Sequence, residues 1–111
     1  MIRVYYSRGE GEHELTINGH AGSAEYGKDI VCAGVSAIAF ALLGWLENNQ
    51  EELTEMDELI AEDGQVYIAC AGSDEVSTAF EVALMGLIQI ARQYPECVDI
   101  KYSGTAGDSR E

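Results

Sequence analysis

Apolar and polar positions alternate early in the chain. IRVYYSR (2–8) is strand-like, and in EHELTING (12–19) Leu15 and Ile17 alternate with Glu14, Thr16 and Asn18. A period of two is that of a half-buried strand. Gly-Glu-Gly at 9–11 turns the chain between the two runs, so the pattern predicts a β-hairpin. Residues 20–29 read as loop. The period then changes. IVCAGVSAIAFALLGWL (30–46) is seventeen residues without a charge, and a helix is predicted from about 30 to 48. QEELTEM (50–56) fits neither period. DELIAEDGQVYIACAG (57–72) reads as a second hairpin turning on Asp63-Gly64, with Val66, Ile68 and Cys70 on one face.

SDEVSTAFEVALMGLIQIARQYP (73–95) reads as a second helix. Ser73 is its N-cap, acids occupy the first turn and Pro95 stops it. CVDIKYSG (97–104) is a last strand with Val98, Ile100 and Tyr102 on one face. The order is ββαββαβ. It specifies an α+β fold with a mainly antiparallel sheet packed with two apolar helices. One domain is expected over 1–104, with a disordered tail at 105–111. Each helix carries more apolar surface than one sheet face covers. Helix–helix packing or a dimer interface could take the remainder.

Composition alters this picture in three places. Twenty acids stand against six bases, a net charge of −14 in 111 residues. Such a surface repels nucleic-acid phosphates and anionic lipid and attracts a basic partner; it also serves plain solubility. The uncharged run at 30–46 borders on a membrane span. It is rich in Ala, Gly and Ser, lies between Asp29 and Glu47 and lacks positive flanks, so a buried central helix is expected instead. The three cysteines (Cys32, Cys70, Cys97) form no C-x-x-C, and MIRVYYSR reads as a strand rather than a secretory signal. Reduced thiols in a cytoplasmic protein are expected.

Candidate chemistry concentrates in GHAGSAEYGKDIVCAG (19–34). With Asp29 as N-cap, Cys32 falls in the first turn of the helix. Unbonded N–H groups and the positive end of the helix dipole would favour a thiolate there and could hold an oxyanion. His20 ends the second strand, a fixed platform for a general base. His13, the other histidine, is expected on the edge of the first hairpin. Ser36 follows Cys32 by one turn and could orient a catalytic group or bond a backbone carbonyl. Ala21, Gly22, Ser23, Ala24, Glu25, Tyr26, Gly27 and Lys28 form a glycine-bounded segment suited to a mobile cover, or a plain connector. Cys32, His20 and Asp29 could also be three zinc ligands, but zinc sites use closely spaced pairs and none is present. Each residue also has a structural reading: Cys32 as a small hydrophobe, His20 as a loop residue with a local hydrogen bond. The residues alone leave these open.

Taken together, GHAGSAEYGKDIVCAGVSA resembles the signature of Prp, the ribosomal-processing cysteine proteases: G-H-A, a loop with E-Y-G, then D-I-V-C-A, a small residue and V-S. The resemblance implies a cytoplasmic, homodimeric cysteine endopeptidase without cofactor or metal. It implies Cys32 as nucleophile, His20 as base, Asp29 and Ser36 in supporting positions, and 21–28 as a flexible loop. The implied substrate is a basic one, the precursor of large-subunit ribosomal protein twenty-seven, cut after an aromatic pair to remove its N-terminal extension. Small apolar residues beside the thiol, Ala33 and Val35, would line a pocket for an aromatic side chain. No direct nucleic-acid or membrane contact is expected. The competing reading is a non-catalytic acidic binding protein, or a ribosome-assembly factor for a basic ribosomal protein.

Overall fold

A computed structural model describes residues 1–20, 28–62 and 64–104. The elements are β1 (Ile2–Arg8), β2 (Glu12–Asn18), α1 (Lys28–Asn48), a 3-10 turn (Gln50–Glu52), β3 (Leu53–Glu62), β4 (Gln65–Gly72), α2 (Asp74–Gln93) and β5 (Val98–Gly104). This is the expected ββαββαβ order. One five-stranded sheet runs β3-β4-β2-β1-β5. β5 lies parallel to β1, and every other pairing is antiparallel. The tail at 105–111 lies outside the described residues.

Leu15 and Ile17 are buried as their alternation predicts, and β1 shows the same period. Ile2, Val4 and Tyr6 of β1 and His13, Leu15 and Ile17 of β2 are buried, while the residues between them face outward or are half-covered. Both helices cover that single inward face. α1 contributes Val31, Val35, Ala39, Leu42 and Leu46, and α2 contributes Val76, Phe80, Ala83 and Leu87. On the open face Tyr67 donates a hydrogen bond to Glu14 at 2.5 Å. Tyr102 shares the inward face of β5, but on this edge strand it remains 45 % exposed.

Helix–helix packing takes part of the remaining apolar surface. A Cβ built on Gly86 of α2 would stand 2.9 Å from Cδ1 of Ile38 on α1, so the helices pack closely there and a larger residue would have to displace that side chain. Further out, an apolar groove of about 710 Å³ runs between the helices, with Ile38, Trp45 and Val82 among its walls and Asp74 and Glu75 at one end.

Residues 50–56 were ambiguous for a physical reason. Leu53, Met56 and Leu59 are three apart, a spacing closer to a helix than to a strand. They nevertheless belong to β3, opposite Gly72, Cys70 and Ile68, which are two apart. Two bulges, between Leu53 and Glu55 and between Met56 and Glu58, absorb the extra residues. The three apolar side chains thereby reach the helix side, where they close a hollow of about 430 Å³ with Leu43 and Leu46.

Two helix starts differ from expectation. α1 begins at Lys28, so Asp29 is its second residue rather than its N-cap. Neither Lys28 nor Asp29 breaks a helix, and the last glycine before the apolar run is Gly27. Ser73 does occupy the N-cap position of α2, but its hydroxyl donates to Glu52 Oε1 at 2.7 Å instead of capping.

Candidate active site

His20 follows β2 after a single glycine. Its main chain is held from two sides. The Met1 amino nitrogen donates to the His20 carbonyl at 2.7 Å, and the adjacent Gly19 N–H donates to the Gly64 carbonyl at 2.9 Å. The imidazole lies over Gly64: a Cβ there would be 2.7 Å from Nε2 and 3.1 Å from Cε1. Gly64 also has φ +77°, so its turn favours glycine, and a methyl there would displace the ring above it. The sequence marked Asp63-Gly64 as a hairpin turn. That the same glycine seats a histidine forty-four residues upstream is a long-range fact with no local signal.

Cys32 is half-buried on α1. Since the helix starts at Lys28, Cys32 is its fifth residue and not part of the first turn, as had been expected. The unpaired amides of that turn belong to residues 28–31, and the dipole acts on the thiol from one turn away, where its effect is weaker. Asp29 stands three residues before Cys32 in the helix register. Ser36, one turn after it, is exposed on the same stripe.

These residues meet. His20, Cys32 and Ser36 all line one cavity of about 440 Å³. Its floor is apolar (Ile2, Ile17, Val35), and its far wall is the end of the β3–β4 hairpin, with Glu62 and Gln65 at the rim. Val35 lines it as expected, but Ala33 faces solvent. Sequence reasoning missed the hairpin wall and Phe40. Phe40 carried a readable signal, the i, i+4, i+8 spacing from Cys32 through Ser36. Positions 21–27 lie outside the described residues. Among the described residues, no three His, Cys, Asp or Glu side chains are grouped to hold a metal ion.

The other thiols and the other imidazole are engaged elsewhere. Cys70 and Cys97 are each 2 % exposed, and burial, aided by Asp57, pushes the Cys70 thiol up to about 11. His13 is not at an edge, because β2 is the central strand. It is 3 % exposed. Its Nδ1 shares a hydrogen bond with the Tyr6 hydroxyl at 2.7 Å and its Nε2 one with Ser77 Oγ at 3.1 Å. Phe80 stacks on the ring at 4.6 Å. Burial, and secondarily the Arg8 charge, lowers His13 to about 4. Burial raises Tyr6 to about 12.

A half-exposed thiol and an exposed imidazole on one partly apolar cavity suit nucleophilic cleavage of an acyl bond. The family model described as cysteine protease Prp matches residues 1–99. The ribosomal processing cysteine protease Prp of Mycoplasma genitalium is 38 % identical over 100 residues, covering 90 % of this chain and 94 % of its own. Two crystal structures of the ribosomal processing protease Prp of Staphylococcus aureus superpose across 93 % of this chain and all of theirs. The first, with a covalently linked product peptide, has a TM-score of 0.78 at 29 % identity. The second, with a substrate peptide, has a TM-score of 0.73 at 27 % identity. The chain belongs to the Prp family of cysteine proteases.

Proposed function

We propose that Cys32 and His20 are the nucleophile and the general acid–base of a ribosomal-processing endopeptidase, working in the 440 Å³ cavity they share. The observation that carries this reading is selective exposure. Of three thiols and two imidazoles, one of each opens onto a common cavity, and the other three side chains are buried.

In this reading His20 takes the Cys32 proton and Sγ attacks the scissile carbonyl. The tetrahedral oxyanion is stabilised by amides at the start of α1. Collapse breaks the C–N bond, and the imidazolium gives its proton to the leaving amine, which leaves a thioester on Cys32. Water, deprotonated by His20, then hydrolyses the thioester, releasing a carboxylate and restoring the thiol. Ser36 and Asp29 are positioning residues for this pair, Ser36 from the cavity wall and Asp29 from its place one turn before the thiol.

The substrate is the precursor of large-subunit ribosomal protein twenty-seven, cut after an aromatic pair. A net charge of −14 favours encounter with a basic ribosomal protein, and the apolar cavity floor suits aromatic side chains. The protein works in the cytoplasm as a homodimer. The apolar groove between α1 and α2, with Val82 67 % exposed, is the surface a second copy would cover. A purely binding role gives way to membership of a protease family.

The test is cleavage of the precursor followed by intact mass. Wild-type protein removes the extension, Cys32→Ala and His20→Ala do not, and Cys97→Ala does. Full cleavage by Cys32→Ala would overturn the assignment.

A further inference from the structure

We infer that Phe40 is a specificity-determining residue of this cavity, a phenyl face on which one apolar or aromatic side chain of an extended peptide stacks. The inference rests on the peptidase reading and deepens it.

Phe40 is 63 % exposed, although it lies on the central helix of the fold. Nothing about the core requires a phenyl there: the buried stripe of α1 passes through Ala39 and Leu42 instead. Cys32, Ser36 and Phe40 succeed one another at i, i+4 and i+8, so they form one ridge, and all three border the cavity. Eight residues of helix place the Phe40 Cα about 12 Å along the axis from that of Cys32. Helical side chains lean toward the N-terminus, which brings the ring back over the Ser36 turn toward the thiol. An extended chain advances about 3.3 Å per residue, so the side chain meeting Phe40 lies about two or three residues from the scissile bond. The opposite wall, with Ala61 and Val66, is apolar too, which leaves an apolar slot with an aromatic side. Offset or edge-to-face packing of a second ring suits that slot.

The experiment uses a fluorogenic peptide with an aromatic pair before the scissile bond, and versions with Ala placed singly at three positions on either side. Phe40→Ala is expected to lower kcat/KM about 10-fold on the parent peptide. It is expected to change little on the one version whose Ala replaces the side chain read, and Phe40→Trp restores the parent rate. Because Phe40 is outside the core, the thermal midpoint and the alkylation rate of Cys32 should stay as in wild type. An equal loss on every peptide, or no loss on any, overturns the proposal. So does a fall in molar mass with peptide selectivity unchanged, which would assign Phe40 to a contact between copies. If wild-type protein cleaves none of the peptides, the catalytic reading fails by itself. Binding of the same peptides to Cys32→Ala, with and without Phe40→Ala, then decides the Phe40 proposal through the same selectivity.

Discussion

The molecule contains two meetings of histidine with cysteine, and they are opposites. His13 on β2 stands directly across from Cys70 on β4 in the sheet register. Seven residues later, beyond the end of the same strand, His20 faces the cavity that Cys32 opens into. In the first meeting both side chains are buried, and burial moves both titrations away from use. His13 falls to about 4 and Cys70 rises to about 11, so neither imidazolium nor thiolate forms near neutral pH. The ring nitrogens are occupied by Tyr6 and Ser77. In the second meeting the side chains reach solvent and a cavity large enough for a substrate residue. The residue types are the same, and access separates a core staple from the pair proposed as reactive.

The strongest way to break the comparison is to remove the thiols one at a time. Cys32→Ala is expected to reduce peptide cleavage by at least about 10³-fold, and His20→Ala by about 10²–10⁴-fold. Cys70→Ala should leave turnover per folded molecule near wild type. Steady-state rates normalised to folded protein check this, and comparable losses at both cysteines would erase the distinction.

The buried side is sharpened by His13→Ala. It removes a stacked ring and strands the Tyr6 and Ser77 hydroxyls, so urea unfolding should show a loss of about 2–4 kcal/mol. The residual folded enzyme should keep its kcat. A large fall in kcat with little change in urea midpoint would move His13 to the reactive side.

Acid provides a milder test. Burial lowers His13 to about 4 in the folded protein, against the ordinary imidazole value of 6.5. As pH falls below 6.5 the unfolded chain takes up the proton first. The stabilisation is therefore whole above about 6.5 and is lost progressively toward 4, by at most about 3 kcal/mol. Urea midpoints between pH 7.5 and 4.5 should show this slope, and it should flatten in His13→Gln. A slope that persists unchanged would place its origin elsewhere.

The smallest effect expected is that of Gly64→Ala. The added methyl collides with the His20 ring at a backbone angle unfavourable to alanine, at a cost of about 1 kcal/mol. Activity should fall more than stability does, because what shifts is the imidazole. A loss of stability without loss of kcat would show that the ring does not need its glycine seat.

Much of the fold could be read from the chain because its signals are local. The two strand periods, Asp63-Gly64 and Pro95 each act within a few residues. The β3 register was not legible, since Leu53, Met56 and Leu59 imitate a helical spacing that only bulges against β4 reconcile. His13 looked peripheral because strand order is a matter of long-range pairing, which puts β2 in the middle. Asp29 looked like a cap because good capping residues also tolerate the first turn of a helix. For the site, the sequence singled out His20, Cys32 and Ser36, and these do share a cavity. The hairpin wall opposite them comes from residues 61–66, far along the chain, and no spacing rule reaches that distance.

The parallel pairing of β1 with β5 has a consequence for synthesis. Ile2 lies opposite Val98, and its N–H donates to the Cys97 carbonyl at 2.8 Å. The strand that starts at the cavity floor therefore gains its outer neighbour only after nearly a hundred further residues have been translated. Such long-range closure is slow and comes late on a growing chain. Until β5 has emerged, the Ile2 N–H lacks its partner and β1 is an unsupported edge. The floor of the cavity is thus among the last parts of the fold to close, although Ile2 is the second residue to be made.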